Sequence, residues 1–335
     1  WKTLQSRMKY LILSICILVS LSVNQMPKKI TWGFFGHKKI NQISIFTLPD
    51  EMFGFYKEHI EYITEHAVDP DKRRYAVDGE APCHYIDLDH YYHKGEDPYT
   101  VMPEKWKDAV EKFTEDTLQA YGIVPWHIQR MKYRLQKAFE RKNVDLILKY
   151  SADIGHYIGD AHVPLHTTEN YNGHMTNQKG IHGLWESRLV EINSTNYDYF
   201  VGKAKYVENV LDFAWEAVKG SHNALDSVFN MEIETTKEIP QNLKYSYERR
   251  GNVTTKVYSK EFCDLYHSKM NGMVERRMKR AIISIGSIWY TAWVDAGQPD
   301  LRALQYSKPS ENLINELQVL DDAYHQGLHK GRICD

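Results

Sequence analysis

Between Asp153 and His166 the chain reads Asp-Ile-Gly-His-Tyr-Ile-Gly-Asp-Ala-His-Val-Pro-Leu-His. Few folds accommodate that string. Residues four apart on a helix lie on one face about one turn from each other, so His156 and Asp160 project together and Asp153 extends their stripe backward. Pro164 kinks or ends the helix, which lets His166 turn toward the same point. Sixteen residues later, His182-Gly-Leu-Trp-Glu186 supplies a second i, i+4 pair of ligand types. Two such pairs on neighbouring helices can hold zinc between them. A single His-x3-Asp pair is more simply a solvated helix face; two pairs together with His166 point to a metal site.

The rest of the chain supports a helical setting. Its 335 residues suffice for a substantial core, and 13% aromatic content, with 23 Tyr and 8 Trp, excludes a disordered chain. From about Pro49 onward most segments read at helical period. The spacing predicts helices over Glu51–Glu65, Pro103–Tyr121, Trp126–Arg141, Val144–Ala161, Gly183–Ile192, Tyr199–Lys219, His222–Glu238 and Tyr258–Ala296, and a final one near Asn312–Tyr324. Asp50 and Asn143 are candidate N-caps. Strand-like alternation is scarce; only His84–His90 could be extended. The expected fold class is all-α, a single helical domain with a multinuclear zinc site between helices.

Residues 1–31 read as a signal-like segment rather than as fold. Met8-Lys9 precedes an apolar run of 14 residues, Tyr10 to Val23, the size of a signal-peptide core and short for a membrane span. Met8 is the expected start, residues 32–335 the expected functional domain. The expected location is secreted or periplasmic, with anchoring if the segment is not cleaved. Removing residues 1–31 takes away five basic side chains and no acidic one, leaving 37 basic against 44 acidic residues, a net charge of −7. Such a balance argues against a broad polyanion-binding surface. The remaining cysteines, Cys83, Cys263 and Cys334, form no disulfide framework and no thiolate zinc pattern.

Three further segments complete a constellation: Trp32-Gly-Phe-Phe-Gly-His37, Asp69 in His-Ala-Val-Asp-Pro-Asp-Lys72, and His84 in His-Tyr-Ile-Asp87. Taken in order, these residues resemble the superfamily that joins zinc-dependent phospholipase C to the single-strand-specific zinc nucleases. The resemblance spans Trp32 to Glu186. It implies that Asp69, His84, His156 and Asp160 hold one zinc, that His166, His182 and Glu186 hold a second, and that Trp32, through its amino nitrogen and carbonyl oxygen, joins His37 and the bridging Asp160 on a third. Two to three zincs, in-line attack on a phosphodiester by a metal-bridging hydroxide, and catalytic roles for Asp69 and Asp160 follow from the same resemblance.

The two branches are mixed in this chain. Trp32-x4-His37 and the His-Tyr-Ile-Asp string resemble nucleases. Glu186 and the short gap from His166 to His182 resemble phospholipases. Nucleases often carry Asp-x-x-Arg after the first Asp; counted from Asp69, this chain has Lys72 there, a point charge rather than a bidentate fork. The expectation is a phosphodiester hydrolase of phospholipase C type acting on phospholipid head groups. A single-strand-specific nuclease is the alternative, and an envelope protein with structural zinc is a second. No obligate protein partner is evident. The remaining histidines have plainer readings: His162 as packing or as support behind a ligand, His59 and His66 as a solvated helix face, His90 and His93 as surface.

Overall fold

A computed structural model describes residues 33–250 and 253–327. Residues 1–31 and Trp32 lie outside the described residues. The architecture is all-α: helices gather around one central helix, accompanied, among the described residues, by a single two-stranded ribbon.

Nine helices carry the description: α1 (Phe34–Ser44), α2 (Asp69–Arg73), α3 (Val124–Glu140), α4 (Val144–Ala161), α5 (Val210–His222), α6 (Leu225–Glu238), α7 (Lys260–Lys269), α8 (Met273–Asp295) and α9 (Glu311–Gln326). The Asn143 side chain caps α4, accepting from Leu146 N–H at 3.0 Å. From Ser151 to its end every residue of α4 is buried. An all-round apolar or small surface leaves a helix no solvent face, so it becomes the hub. α1, α3, α5 and α8 all pack on it.

Close approach of α1 to α4 depends on two glycines one turn apart. A Cβ at Gly155 would lie 2.1 Å from Oδ1 of Asn41, and one at Gly159 would lie 2.9 Å from Nδ1 of His37. Asn41 is fully buried and donates Nδ2–H to the carbonyl of Ala152 at 3.0 Å. The α4 backbone therefore lies directly against α1 side chains where the ligand-type residues begin.

The observed elements depart from the expected ones at identifiable residues. The helix expected over Glu51–Glu65 breaks at His59, and the one over Pro103–Tyr121 breaks at Thr114, whose φ is +70°. The span from Tyr258 to Ala296 is two helices, separated by Asn271 and Gly272 at positive φ. α5 starts at Val210 rather than Tyr199. The stretch around His84–His90 forms 3-10 turns instead of a strand. Strands do form elsewhere: β1 (Tyr245–Arg250) pairs antiparallel with β2 (Val253–Tyr258), Tyr245 opposite Tyr258. His59 is buried, and His66 contacts Asp69 rather than solvent alone. Asp50 is the first helical residue, and Pro49 occupies the cap position.

Candidate metal centre

Six short segments converge at the end of α4. α1 brings His37, α2 brings Asp71, and the 3-10 turn Ala81–His84 brings His84. α4 itself brings His156 and Asp160. The turn Pro164–Thr167 brings His166, and a turn of π-helix, Gly183–Arg188, brings Glu186 beside His182. π-turns widen a helix locally and concentrate at functional sites. Here the π-turn is tied to the ribbon, since Arg188 donates to Glu248 and to the Tyr258 carbonyl.

The ligand-type atoms form four overlapping groups: one joins His37, Asp71 and His156, and the other three are linked through shared carboxylates. In the first of these three, Nδ1 of His84 lies 2.9 Å from Oδ2 of Asp160 and 3.1 Å from Nε2 of His156. In the second, Nε2 of His182 lies 3.0 Å from Nε2 of His166 and 2.7 Å from Oε2 of Glu186. In the third, Nε2 of His37 lies 3.4 Å from Oδ1 of Asp160 and 3.2 Å from Oε1 of Glu186. Asp160 and Glu186 thus each offer one oxygen to one group and the other oxygen to the next.

The tautomers favour cation binding. His156 donates Nδ1–H to the Ala67 carbonyl at 2.9 Å, and His166 donates Nδ1–H to the His84 carbonyl at 2.8 Å. Each neutral ring then turns its Nε2 lone pair inward. Lone pairs and carboxylates facing one another, nearly all of them buried, are the donor set zinc prefers in the absence of thiolate. The electrostatics agree. Burial alone would depress His37, but Asp160 and Glu186 raise it to about 10. Burial likewise works to raise Asp160, yet His156 and His166 hold its carboxyl well below the usual range. The carboxylates stabilise positive charge at this point.

One expected ligand is misplaced. Asp69 does not join the cluster: His66 Nδ1 lies 2.7 Å from its Oδ2 and Lys72 lies 3.2 Å from its Oδ1. Asp71 takes the position instead, with Oδ1 3.6 Å from Nε2 of His156 and 3.8 Å from Nδ1 of His84. Pro70 sits in the first turn of α2, and the helical turn carries successive carboxylates in different directions. The signal was legible: counted from Asp71, the Asp-x-x-Arg pattern is complete, since Arg74 follows, its Nη1 3.8 Å from Asp71. Lys72 is occupied by Asp69 and Asp321. His37, His84, His156, Asp160, His166, His182 and Glu186 are all brought together, whereas Trp32 falls outside the described residues. His162 is a packing residue, donating to the Ile158 carbonyl.

Sequence reasoning also missed Glu80. Its carboxylate accepts from the Tyr157 hydroxyl, lies 3.4 Å from Arg73 Nε, and stands behind His84. The same Arg73 forks onto Asp153 at 3.1 and 3.0 Å, so Asp153 supports the site without entering it.

Among known proteins, the sequence model of the S1/P1 nuclease family matches residues 32–288. A search of curated proteins finds no match. The matched span covers most of the chain and contains every member of the three groups. The chain therefore belongs to the S1/P1 nuclease family, zinc-dependent enzymes that hydrolyse phosphodiester bonds.

Proposed function

We propose that this enzyme cleaves single-stranded nucleic acid at a multinuclear zinc centre. Asp71, His84, His156 and Asp160 would hold one ion and His166, His182 and Glu186 a second. His37 with Asp160 and Glu186 would hold part of a third. The observation that carries the reading is the pair of shared carboxylates: Asp160 and Glu186 join three ligand groups into one cluster inside a nuclease-family match. Glu186 and the ligand spacing, taken alone, favour the phospholipase branch. The family match favours the nuclease, and the lipid reading is not retained.

Zinc, when bound, lowers the pKa of coordinated water from about 15.7 toward 7 and offsets charge on the phosphoryl oxygens. The protein's own residues do the remaining work. Backbone carbonyls of Ala67 and His84 fix the tautomers of His156 and His166. Asp71 is a quarter exposed, and so is the carboxylate of the first group that solvent and substrate reach. Arg74 flanks it from within the fold. The concentrated positive charge of bound ions would supply phosphate affinity in a protein of net negative charge. The apolar run before residue 24 supports export from the cell.

The test compares single-stranded DNA or RNA with a soluble short-chain phosphatidylcholine, at equal protein and zinc, with a chelator control. Single-stranded substrate should be cleaved, zinc should number two to three per chain, and chelation should abolish turnover. Phospholipid hydrolysis without nucleic-acid cleavage would overturn the proposal.

A further inference from the structure

The two sides of α1 differ in kind. His37, Asn41 and Ser44 are buried on its inner side. Phe35, Lys39, Gln42 and Phe46 recur at steps of four, three and four residues and share the opposite side, with Phe46 in the 3-10 turn Ile45–Thr47 that prolongs the helix. Phe35 is 43% exposed and Phe46 50%. A strap, residues 199–207, runs beside them. Three backbone N–H groups fix it: Ala204 donates to the Thr47 carbonyl at 2.8 Å, Lys205 to Ser287 Oγ at 3.1 Å and Val207 to Thr291 Oγ1 at 2.9 Å, the last two on α8. Phe200, on that strap, is 83% exposed.

Lysines punctuate the same surface. Lys39 Nζ lies 5.5 Å from the centroid of the Tyr199 ring, which joins α1 to the strap, and Lys57 Nζ lies 5.2 Å from that of Phe46. Lys203 and Lys205 stand exposed on the strap. None of the four pairs with a carboxylate among the described residues; Asp198, the acid beside the strap, is taken by Lys279 at 3.1 Å. Single exposed aromatics are ordinary, whereas three phenylalanines interleaved with four unpaired lysines on one side form a patch. The sequence ahead of α1 adds to this. The apolar run Tyr10–Val23 ends ten residues before Gly33, with Lys28 and Lys29 between, a stretch that spans at most about 35 Å when fully extended.

Phenylalanines that enter the acyl boundary and lysines that meet anionic head groups are the chemistry of contact with a membrane surface. We infer that the outer side of α1 and the strap beside it dock on an anionic phospholipid surface. The lipid is a support here and not a substrate. Each lysine held near such a surface adds about fivefold to partitioning, and one fully buried phenylalanine at least about tenfold. Signals of two kinds together give attachment that either alone does not. His37 lies on the inner side of α1, so docking leaves the ligands of the metal centre in place. Nothing in the inference depends on which phosphodiester the enzyme cleaves.

The test uses the full chain and reads each lysine separately, so that attachment through residues 10–23 does not mask the result. Zinc-loaded protein is treated with a water-soluble acetylating reagent alone, with phosphatidylcholine vesicles, and with vesicles of phosphatidylcholine mixed with phosphatidylglycerol. Peptide masses then give the rate of modification at each site. Lys203 and Lys205 should react at least about fivefold more slowly on the anionic vesicles, while lysines elsewhere on the chain change less. Added salt should restore their reactivity. Phe46→Ser with Phe200→Ser should remove the protection. Lys203→Gln with Lys205→Gln should do the same, read then at Lys39 and Lys57. Cleavage of a soluble single-stranded oligonucleotide should be unchanged in both pairs, since neither touches the metal centre. If Phe46→Ser fails to fold, Phe200→Ser alone carries the test. Equal rates with and without anionic vesicles overturn the inference. Protection that needs no vesicle and rises with protein concentration would assign the patch to a second copy of the chain and overturn it. Protection by single-stranded DNA in place of vesicles would assign it to nucleic acid and overturn it too.

Discussion

Glu80 places Oε1 3.7 Å from Nε2 of His84, the ring nitrogen that does not face Asp160. Burial works against a charged Glu80, but Arg73 and His84 hold its carboxyl well below the usual range, so it remains an anion behind the imidazole. A carboxylate behind a ligating histidine fixes its ring and raises its basicity. Glu80→Gln should therefore weaken zinc binding about 10- to 100-fold. Competition against a chromophoric chelator reads this directly, with circular dichroism reporting the fold. Unaltered zinc affinity would remove Glu80 from any positioning role.

Asp160→Asn keeps the shape of the shared ligand and removes its charge. Turnover of single-stranded DNA should fall by at least about 10³-fold, and bound zinc should drop below the wild-type count. Elemental analysis and a single-strand cleavage assay measure the two. Near-normal turnover would mean that the cluster does not depend on a carboxylate here.

Two neighbouring aspartates separate the geometry from the spacing. Asp71→Asn should cost at least about 10²-fold in turnover, because a ligand of the first group is lost. Asp69→Asn should leave turnover within a few-fold and act on stability through His66 and Lys72. Reversal of that order would restore Asp69, the ligand the resemblance implied.

Gly155→Ala tests the contact between α1 and α4. The new methyl would lie 2.1 Å from Asn41 Oδ1, and Asn41 is held by Ala152. Overpacking of this kind costs about 1–3 kcal/mol, and an approach this close to a held side chain belongs at the upper end; the better helix propensity of alanine returns about 1, so a net loss of about 2 kcal/mol is expected. Urea unfolding measures it. A variant as stable as wild type would show that α1 can move aside freely.

His127 gives the pH dependence a sign. Burial is the main cause that lowers it to about 3; Arg130 and, more weakly, His84 and Arg134 act in the same direction, and Glu80 opposes them. The folded protein thus keeps His127 neutral, while the unfolded chain binds a proton below about 6.5. Its contribution is whole above pH 6.5 and is lost as pH falls toward 3. Between pH 7.5 and pH 5 the loss is about 2 kcal/mol. Urea midpoints of wild type and His127→Phe, taken at both pH values, isolate it, since contributions from other groups cancel in the difference. Parallel acid sensitivity in the two proteins would refute the assignment.

The sequence was most legible where ligands are close neighbours. Helical spacing alone joined His156 to Asp160 and His182 to Glu186, since one turn of helix decides which side chains meet. It failed where long-range partners decide. Asp69 and Asp71 are chemically equal until His66 and Lys72 claim the first, and those contacts exist only in the fold. α1 escaped notice because three of its four buried residues, His37, Asn41 and Ser44, are polar, so its inner stripe does not look apolar. The breaks at Thr114 and at Asn271-Gly272 interrupt helices whose apolar period continues across them.

Because the α4 backbone at Gly155 and Gly159 lies directly against the Asn41 and His37 side chains of α1, residue count becomes a functional property of this chain. Each residue inserted into a helix rotates the downstream side chains by about 100°. One residue added between His37 and Asn41 would swing one of them off the face that both share, so either the cluster would lose His37 or the interlock would lose Asn41. No single compensating substitution restores that phase. Drift in length is therefore tolerable in the surface turns and forbidden between these two side chains.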